Sequence, residues 1–400
     1  MKTFHFRIGK EYLLILLVYS SMLPFVIAQP LSDSSNSIII ETTTVEATTI
    51  NASSNEEFDA YAALRGWEGN GSQNNPYIIE NQTISDINLS CTNRYCIFRN
   101  NQFVNSSFIR LNRVNHALLE FNILISVRPS LITIFNSNET RKSFTIDIDY
   151  CTNIFFKNNN FGRNRTEKLF LTIRFSSIIC LDNNTFQSLS HMPVLIQSSK
   201  DVEIKKNTFL SLVAVSEFFI YNSLWISVSN NKFNYVLGKL RISNSGPWVE
   251  ILSNSFNNIV LSLSHNYRTK VENNTFMSVY FLSGLFGFYF DSESYLAFGN
   301  NTCENISIKA IHNINGDFIN NTIKELEIEE CLDLDIENNT IHTLTIENCN
   351  DLSLKNNEVK DLNNKDAPTL VSMFLALFPY IIITLIVGSL VLWIKRGDIP

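Results

Sequence analysis

A pair of residues returns along this 400-residue chain at 100, 158, 183, 206, 230, 253, 273, 300, 320, 338 and 356, and nine of the eleven pairs read Asn-Asn. The other two are Lys206-Asn207 and Ser253-Asn254. From 158 onward the intervals run between 18 and 27 residues. A fixed period of that length means stacked units, because each unit covers its apolar face only by lying on the next.

Residues around each pair keep step with it. Two before the first Asn lie Phe98, Phe156, Leu181, Ile204, Val228, Ile251, Val271, Phe298, Phe318, Ile336 and Leu354, all apolar. Four before lie Ile154, Ile179, Val202, Ile226, Val249 and their equivalents, with Thr269 and Gly316 as the departures. Three after lie Phe161, Phe186, Phe209, Phe233, Phe256 and Phe276. Offsets of two place residues on one face of a strand, so these sets predict inward columns on extended chain. Seven before the pair, Asn93, Cys151, Ser176, Ser199, Ser223, Gly246, Asn266, Cys331 and Cys349 mark a second turn. Alternating stretches such as Phe144-Thr145-Ile146-Asp147-Ile148 precede it. No 3.6-residue periodicity supports a helical solenoid. The expected fold is all-β, a single-stranded right-handed parallel β-helix. Asn suits the bend because it tolerates left-handed angles. The interval from Asn100 to Asn158 holds one or two irregular coils that the repeat does not place.

The flanks divide cleanly. Basic Lys2, Arg7 and Lys10 precede an apolar run ending before Ala28, the order of a secretory signal peptide over 1–28. Residues 29–54 form a Ser/Thr-rich lead-in. An N-cap, acidic first turn and terminal Gly predict a capping helix over 55–66. The β-helix is expected over 67–362 and a short linker over 363–369. Residues 370–394 carry no charge and are long enough to cross a hydrocarbon layer of roughly 30 Å. Lys395 and Arg396 in the tail, 395–400, favour the cytoplasmic side, which puts the repeats outside the cell membrane. Thirteen Asn-x-Ser/Thr sequons accord with that placement. Those starting at Asn183, Asn273, Asn300, Asn320 and Asn338 fall in the pair ladder, where some are expected to be closed to glycosylation. The formal charge of −7 makes nucleic acid an improbable partner.

Trp67-Glu68-Gly69-Asn70-Gly71-Ser72, then Asn75-Pro76-Tyr77-Ile78-Ile79-Glu80-Asn81 and Phe98-Arg99-Asn100-Asn101-Gln102-Phe103, resemble the opening of archaeal surface proteins with NosD-type right-handed β-helix repeats. The likeness extends by periodicity over about 55–362. It implies a pectate-lyase-like architecture, shared by copper-delivery proteins, polysaccharide lyases and hydrolases, and many non-enzymes. Fold alone does not choose among them. His116, His191, His265, His312 and His342 share no column, and there are five Met, so copper handling is not expected.

Polysaccharide cleavage needs paired carboxylates or a metal with a basic group. Asp147 and Asp149 alternate outward on one strand, and Arg174 follows one coil later in the column of Asp149. The same spacing recurs in Glu327/Glu329 and Asp333/Asp335, so an ordinary solvated face accounts for it better. Between 317 and 361 there are twelve acidic residues against Lys324, Lys355 and Lys360. Glu347 should stack on Glu329 and Asp351 on Asp333, a collar that a divalent cation such as calcium would relieve; a solvated acidic face is the plainer reading. Cys331 and Cys349 share a column within disulfide range, and Cys91 with Cys96 could close a small loop, although buried thiols fit these places equally well. The expected function is a non-catalytic, membrane-anchored surface module for glycan binding, adhesion or envelope structure, its partners the bilayer and a surface polysaccharide or another surface protein. The competing expectation is a carbohydrate-active enzyme, a lyase or glycoside hydrolase.

Overall fold

The structure, a computed structural model, describes residues 47–104, 108–124, 129–131, 140–162, 168–188, 192–277, 287–291, 295–311 and 314–364. The expected signal peptide, most of the lead-in, and the span and tail over 370–400 lie outside the described residues. Among the described residues no helix is long and apolar enough to cross a membrane.

The chain winds into a right-handed parallel β-solenoid with very little helix. Equivalent residues of successive coils pair in parallel register. Ile154, Ile179, Val202, Ile226, Val249, Thr269, Leu296, Gly316 and Leu334 form one unbroken column. The two departures from apolar character are accommodated: Thr269 is fully buried, and a Cβ on Gly316 would sit 2.8 Å from the Leu296 carbonyl oxygen. In the next column Phe186, Phe209, Phe233, Phe256 and Phe276 stack with ring centroids 4.7 to 5.1 Å apart and planes within 12°. Burying each ring contributes roughly 1.5–3 kcal/mol before chain entropy is subtracted.

The two members of each pair have different work. The first turns the chain with a left-handed backbone, from Asn100 (φ 55°) through Lys206 (φ 54°) and Ser253 (φ 57°) to Asn356 (φ 53°). The second points inward. Asn101, Asn159, Asn184, Asn207, Asn231, Asn254, Asn274, Asn301, Asn321 and Asn339 are each at most 2% exposed. Each ladder Oδ1 accepts the main-chain N–H of the equivalent residue one coil earlier at 2.8–3.0 Å, an Asn except at the first step, where Asn101 accepts from Gln82. Its Nδ2 donates to a main-chain carbonyl of the earlier coil, as from Asn184 to Phe156 and from Asn207 to Leu181. The exceptional pairs Lys206-Asn207 and Ser253-Asn254 therefore leave the ladder intact, since both keep the inward Asn.

This division resolves the irregular interval. Phe121 (φ 53°) and Asn122 form a coil corner with the same bonds and no Asn-Asn signature. An antiparallel pair, Pro129–Leu131 against Thr140–Lys142, follows within the interval. A second ladder lines the other turn, where hydroxyls replace amides: Ser176, Ser199 and Ser223 each accept the N–H of the equivalent residue one coil earlier at 3.0–3.3 Å. Its members are Thr92 and Ser245 rather than the expected Asn93 and Gly246, because these two corners each contain one extra residue before the strand resumes.

The lead-in boundary also moves. Strand β1 (Thr48–Ala52) pairs with β2 (Thr83–Arg99) and buries Ile50 and Ala52, an alternation too short to stand out against the Thr-rich flank. Helix α1 (Asn55–Arg65) follows, capped by Ser54, whose side chain accepts from Glu57 N, and ended by Gly66 at φ 66°. Phe58 and Ala62 are buried over the first coils, and Phe58 packs edge-on against Trp67 and Tyr77.

Removing one ladder amide leaves several buried groups without partners. Asn207→Ala is expected to cost about 2–4 kcal/mol, whereas Lys206→Ala on the same corner should stay within about 0.5 kcal/mol. Urea unfolding of the two variants measures this; equal midpoints would remove the ladder from the account.

Candidate ligand-binding face

Asp147, Asp149 and Arg174 come together on the outer face, in the register their spacing predicts. Arg174 lies across from Asp149, and its guanidinium reaches Asp149 Oδ2 at 3.0 Å and Asp147 Oδ1 at 3.4 Å. Arg110 approaches Asp147 from the coil on the other side at 3.9 Å. Both carboxylates are thus held by arginine. Asn112 Oδ1, Asp149 Oδ1 and Arg174 Nε are shielded from solvent without a hydrogen-bond partner among the described residues.

Glu347 pairs with Glu329 as expected, and Asp351 follows Asp333 at the corner, both left-handed. A lysine relieves part of the repulsion. Lys309 Nζ lies 2.7 Å from Glu329 and 3.4 Å from Glu327, and the bond to Glu329 leads in holding the ammonium above its ordinary pKa. Among the described residues no three His, Cys, Asp or Glu side chains gather closely enough to hold a metal ion.

Neither cysteine pair is a disulfide in this structure. Cys331 and Cys349 donate their thiols to the carbonyls of Glu329 and Glu347, both at 3.3 Å, taking places in the turn ladder. Cys91 is exposed at a corner, whereas Cys96 faces the core. Burial pushes the Cys96 thiol up to about 12 and those of Cys151 and Cys180 to about 11.

Another column offers more to a ligand. Five before the first residue of each pair, Asp201, Trp225, Trp248, Arg268, Tyr295 and Asn315 follow one another up a corner, each one residue before an aligned core position. The Arg268 guanidinium carbon lies 4.4 Å from the Trp248 ring centroid and 5.4 Å from that of Tyr295, so a cation is held between two aromatic faces. Tyr295 donates to Asp317 Oδ2 at 2.6 Å. That bond, helped by burial, pushes its phenol up to about 12. Together they border a cleft of about 400 Å³ with Lys270 and Glu272, themselves paired at 3.0 Å. Trp225, one coil earlier, is 48% exposed and left-handed at φ 55°. A bulky residue in that conformation is strained, and its indole faces solvent, so core packing does not explain it.

Toward the N-terminus the same column holds Tyr95, His116 and Asn153. The Tyr95 and His116 rings stack 3.6 Å apart at 6°. Asn153 Nδ2 donates to His116 Nδ1 at 3.2 Å, and burial lowers the imidazole pKa. These residues border a second cleft, about 380 Å³, with Gln73 and Pro76 on its rim. The two lengthened corners, ahead of Tyr95 and ahead of Trp248, coincide with the two clefts, as extra residues in a strand often re-aim side chains beside a site. From Asn153 to Trp248 the column climbs four coils, roughly 19 Å at about 4.8 Å each.

No protein-family model matches the chain, and no curated protein matches it. Among solved structures, the crystal structure of PfbA, a surface adhesin of Streptococcus pneumoniae, is similar at 11% sequence identity and a TM-score of 0.25, covering 80% of this chain and 91% of that one.

Alkylation of the native chain at neutral pH is expected to label Cys91 first, and Cys96, Cys151 and Cys180 only after unfolding. Peptide mapping checks this; a non-reduced peptide joining Cys331 to Cys349, or Cys91 to Cys96, would contradict the thiol assignment.

Proposed function

We propose that this chain is a non-catalytic binding rod on the outer face of a cell membrane, with an oligosaccharide or polysaccharide laid along the column of Trp225, Trp248, Arg268 and Tyr295. The observation that carries the reading is the stack of Arg268 between Trp248 and Tyr295 at the edge of an open cleft. Sugar rings present C–H faces that pack on aromatic rings while their hydroxyls bond to nearby polar groups, here Lys270, Glu272 and Asp317. A polymer parallel to the rod axis crosses Asn153, Ile178 and Asp201 between the two aromatic stretches and reaches the Tyr95–His116 cleft on the same corner. Engaging two clefts at once raises avidity without a new type of contact.

The uncharged segment 370–394 followed by Lys395 and Arg396 supports a membrane tether, and the leader-like 1–28 supports export. The enzymatic reading is weaker. Both candidate carboxylates, Asp147 and Asp149, are engaged by the Arg174 guanidinium.

Titration of detergent-solubilised full-length chain with oligosaccharides chosen from a glycan array tests the reading. Trp248→Ala should weaken binding about 10-fold, the stacking contributions being about 1–2 kcal/mol. Asp147→Asn should leave binding unchanged, and longer chains should bind more tightly than short ones. Affinity indifferent to Trp248→Ala would overturn the proposed face. Sugar turnover abolished by Asp147→Asn would restore the enzyme reading.

A further inference from the structure

The left-handed corner that begins each ladder pair presents a regular outward column of its own. At Asn183, Asn273, Asn300, Asn320 and Asn338 the sequence reads Asn-Asn-Thr, and at Asn81 it reads Asn-Gln-Thr. In all six the first Asn is exposed with φ between 53° and 57°. The inward Asn beside it is saturated: Asn184 Nδ2 donates to both Phe156 O and Asn207 Oδ1, and Asn301 Nδ2 to both Val271 O and Asn321 Oδ1. A substituent there would have to displace buried bonds. The inward Asn is also barred from being an acceptor by its own place in the coil, because two residues on stands a core side chain such as Phe186, Phe276 or Ile323. The Thr of each motif lies between the ladder and the core column and completes a sequon only for the outward Asn. The ladder thus sorts each Asn-Asn pair into one buried and one accessible amide, while at Asn81 the neighbouring Gln82 is itself exposed.

We propose that these six outward Asn form an axial column of N-glycan attachment sites along one edge of the rod. The step joins Asn Nδ2 to the anomeric carbon of a sugar, breaks that carbon's bond to the pyrophosphate of a lipid-linked oligosaccharide, and sends the amide proton off with the pyrophosphate. One N–H remains on the amide, enough to keep bonds of the kind seen from Asn183 to Asn158 Oδ1 at 2.7 Å and from Asn320 to Asn300 Oδ1 at 3.2 Å. Spacing then sets occupancy. Asn273, Asn300, Asn320 and Asn338 lie on four consecutive coils, about 4.8 Å apart. A pyranose with its N-acetyl and hydroxyl groups is wider than that, so a glycan on one corner excludes its immediate neighbours, while Asn81 and Asn183 have no adjacent sequon on the column.

The test uses the full-length chain made in a eukaryotic secretory host, with glycans released enzymatically in heavy-oxygen water so that each occupied Asn becomes a labelled Asp. Label is expected at Asn81 and Asn183 in most molecules and at partial levels over Asn273 to Asn338. Glycopeptides spanning two adjacent corners should carry one glycan. Thr185→Ala should remove the label at Asn183 with no change in melting temperature, since Asn184 keeps its bonds. Absence of label at all six overturns the proposal, whether or not other sequons are occupied. Label on an inward Asn, or two glycans on neighbouring corners of one molecule, overturns the geometric rule behind it.

Discussion

Parallel strands repeat at about 4.8 Å up this rod, and every other property follows from having to place the same kind of residue at the same point of each coil. Apolar side chains meet the condition easily, because like packs on like. Main-chain polar groups at the inner bend do not, since the turn takes their N–H out of the strand ladder. The inward Asn meets that need: its Oδ1 accepts an N–H of the coil before, and its Nδ2 donates to a main-chain carbonyl of that coil and to the Asn Oδ1 of the next. Replacing it forfeits bonds on two neighbouring coils, which explains why Asn207 and Asn254 persist where their partners have become Lys206 and Ser253.

Much of this was legible in the spacing. Offsets of two, four and three from each pair named the buried columns, and the register agrees with them from coil to coil. What the spacing does not show has one cause: the Asn-Asn signature marks the residue that begins each pair, whereas the constraint falls on the second. Phe121-Asn122 therefore forms a corner without that signature, and the signature does not tell the outward Asn of each pair from the inward one. The hydroxyl column slipped by one at Ser245 because the corner through Gly246 and Pro247 carries an extra residue. The ligand face went unread for another reason. Tyr95, Trp225, Trp248 and Tyr295 lie five before a pair start, visible to the same counting, but His116 precedes the unmarked corner at Phe121, the others alternate with Asn153, Ile178, Asp201 and Arg268, and no single residue type marks the column. The ring distances around Arg268 and the cleft beside them set it apart.

Charge and shape divide the rod along its length. Its acidic surplus gathers in the coils nearest the C-terminus, where Lys309 offsets part of the load on Glu327 and Glu329. Aromatic rings and clefts occupy coils farther toward the capped N-terminal end.

Cys180 and Glu203 are register neighbours on adjoining coils, with the thiol sulfur 3.5 Å from the carboxylate. Glu203→Cys therefore places two thiols one strand spacing apart, within disulfide range, whereas Lys205→Cys lies two residues out of register. Mild oxidation followed by peptide mapping should join position 203 to Cys180 and leave position 205 unjoined. A bond from position 205 and none from 203 would contradict the stacking of equivalent residues on which the account rests.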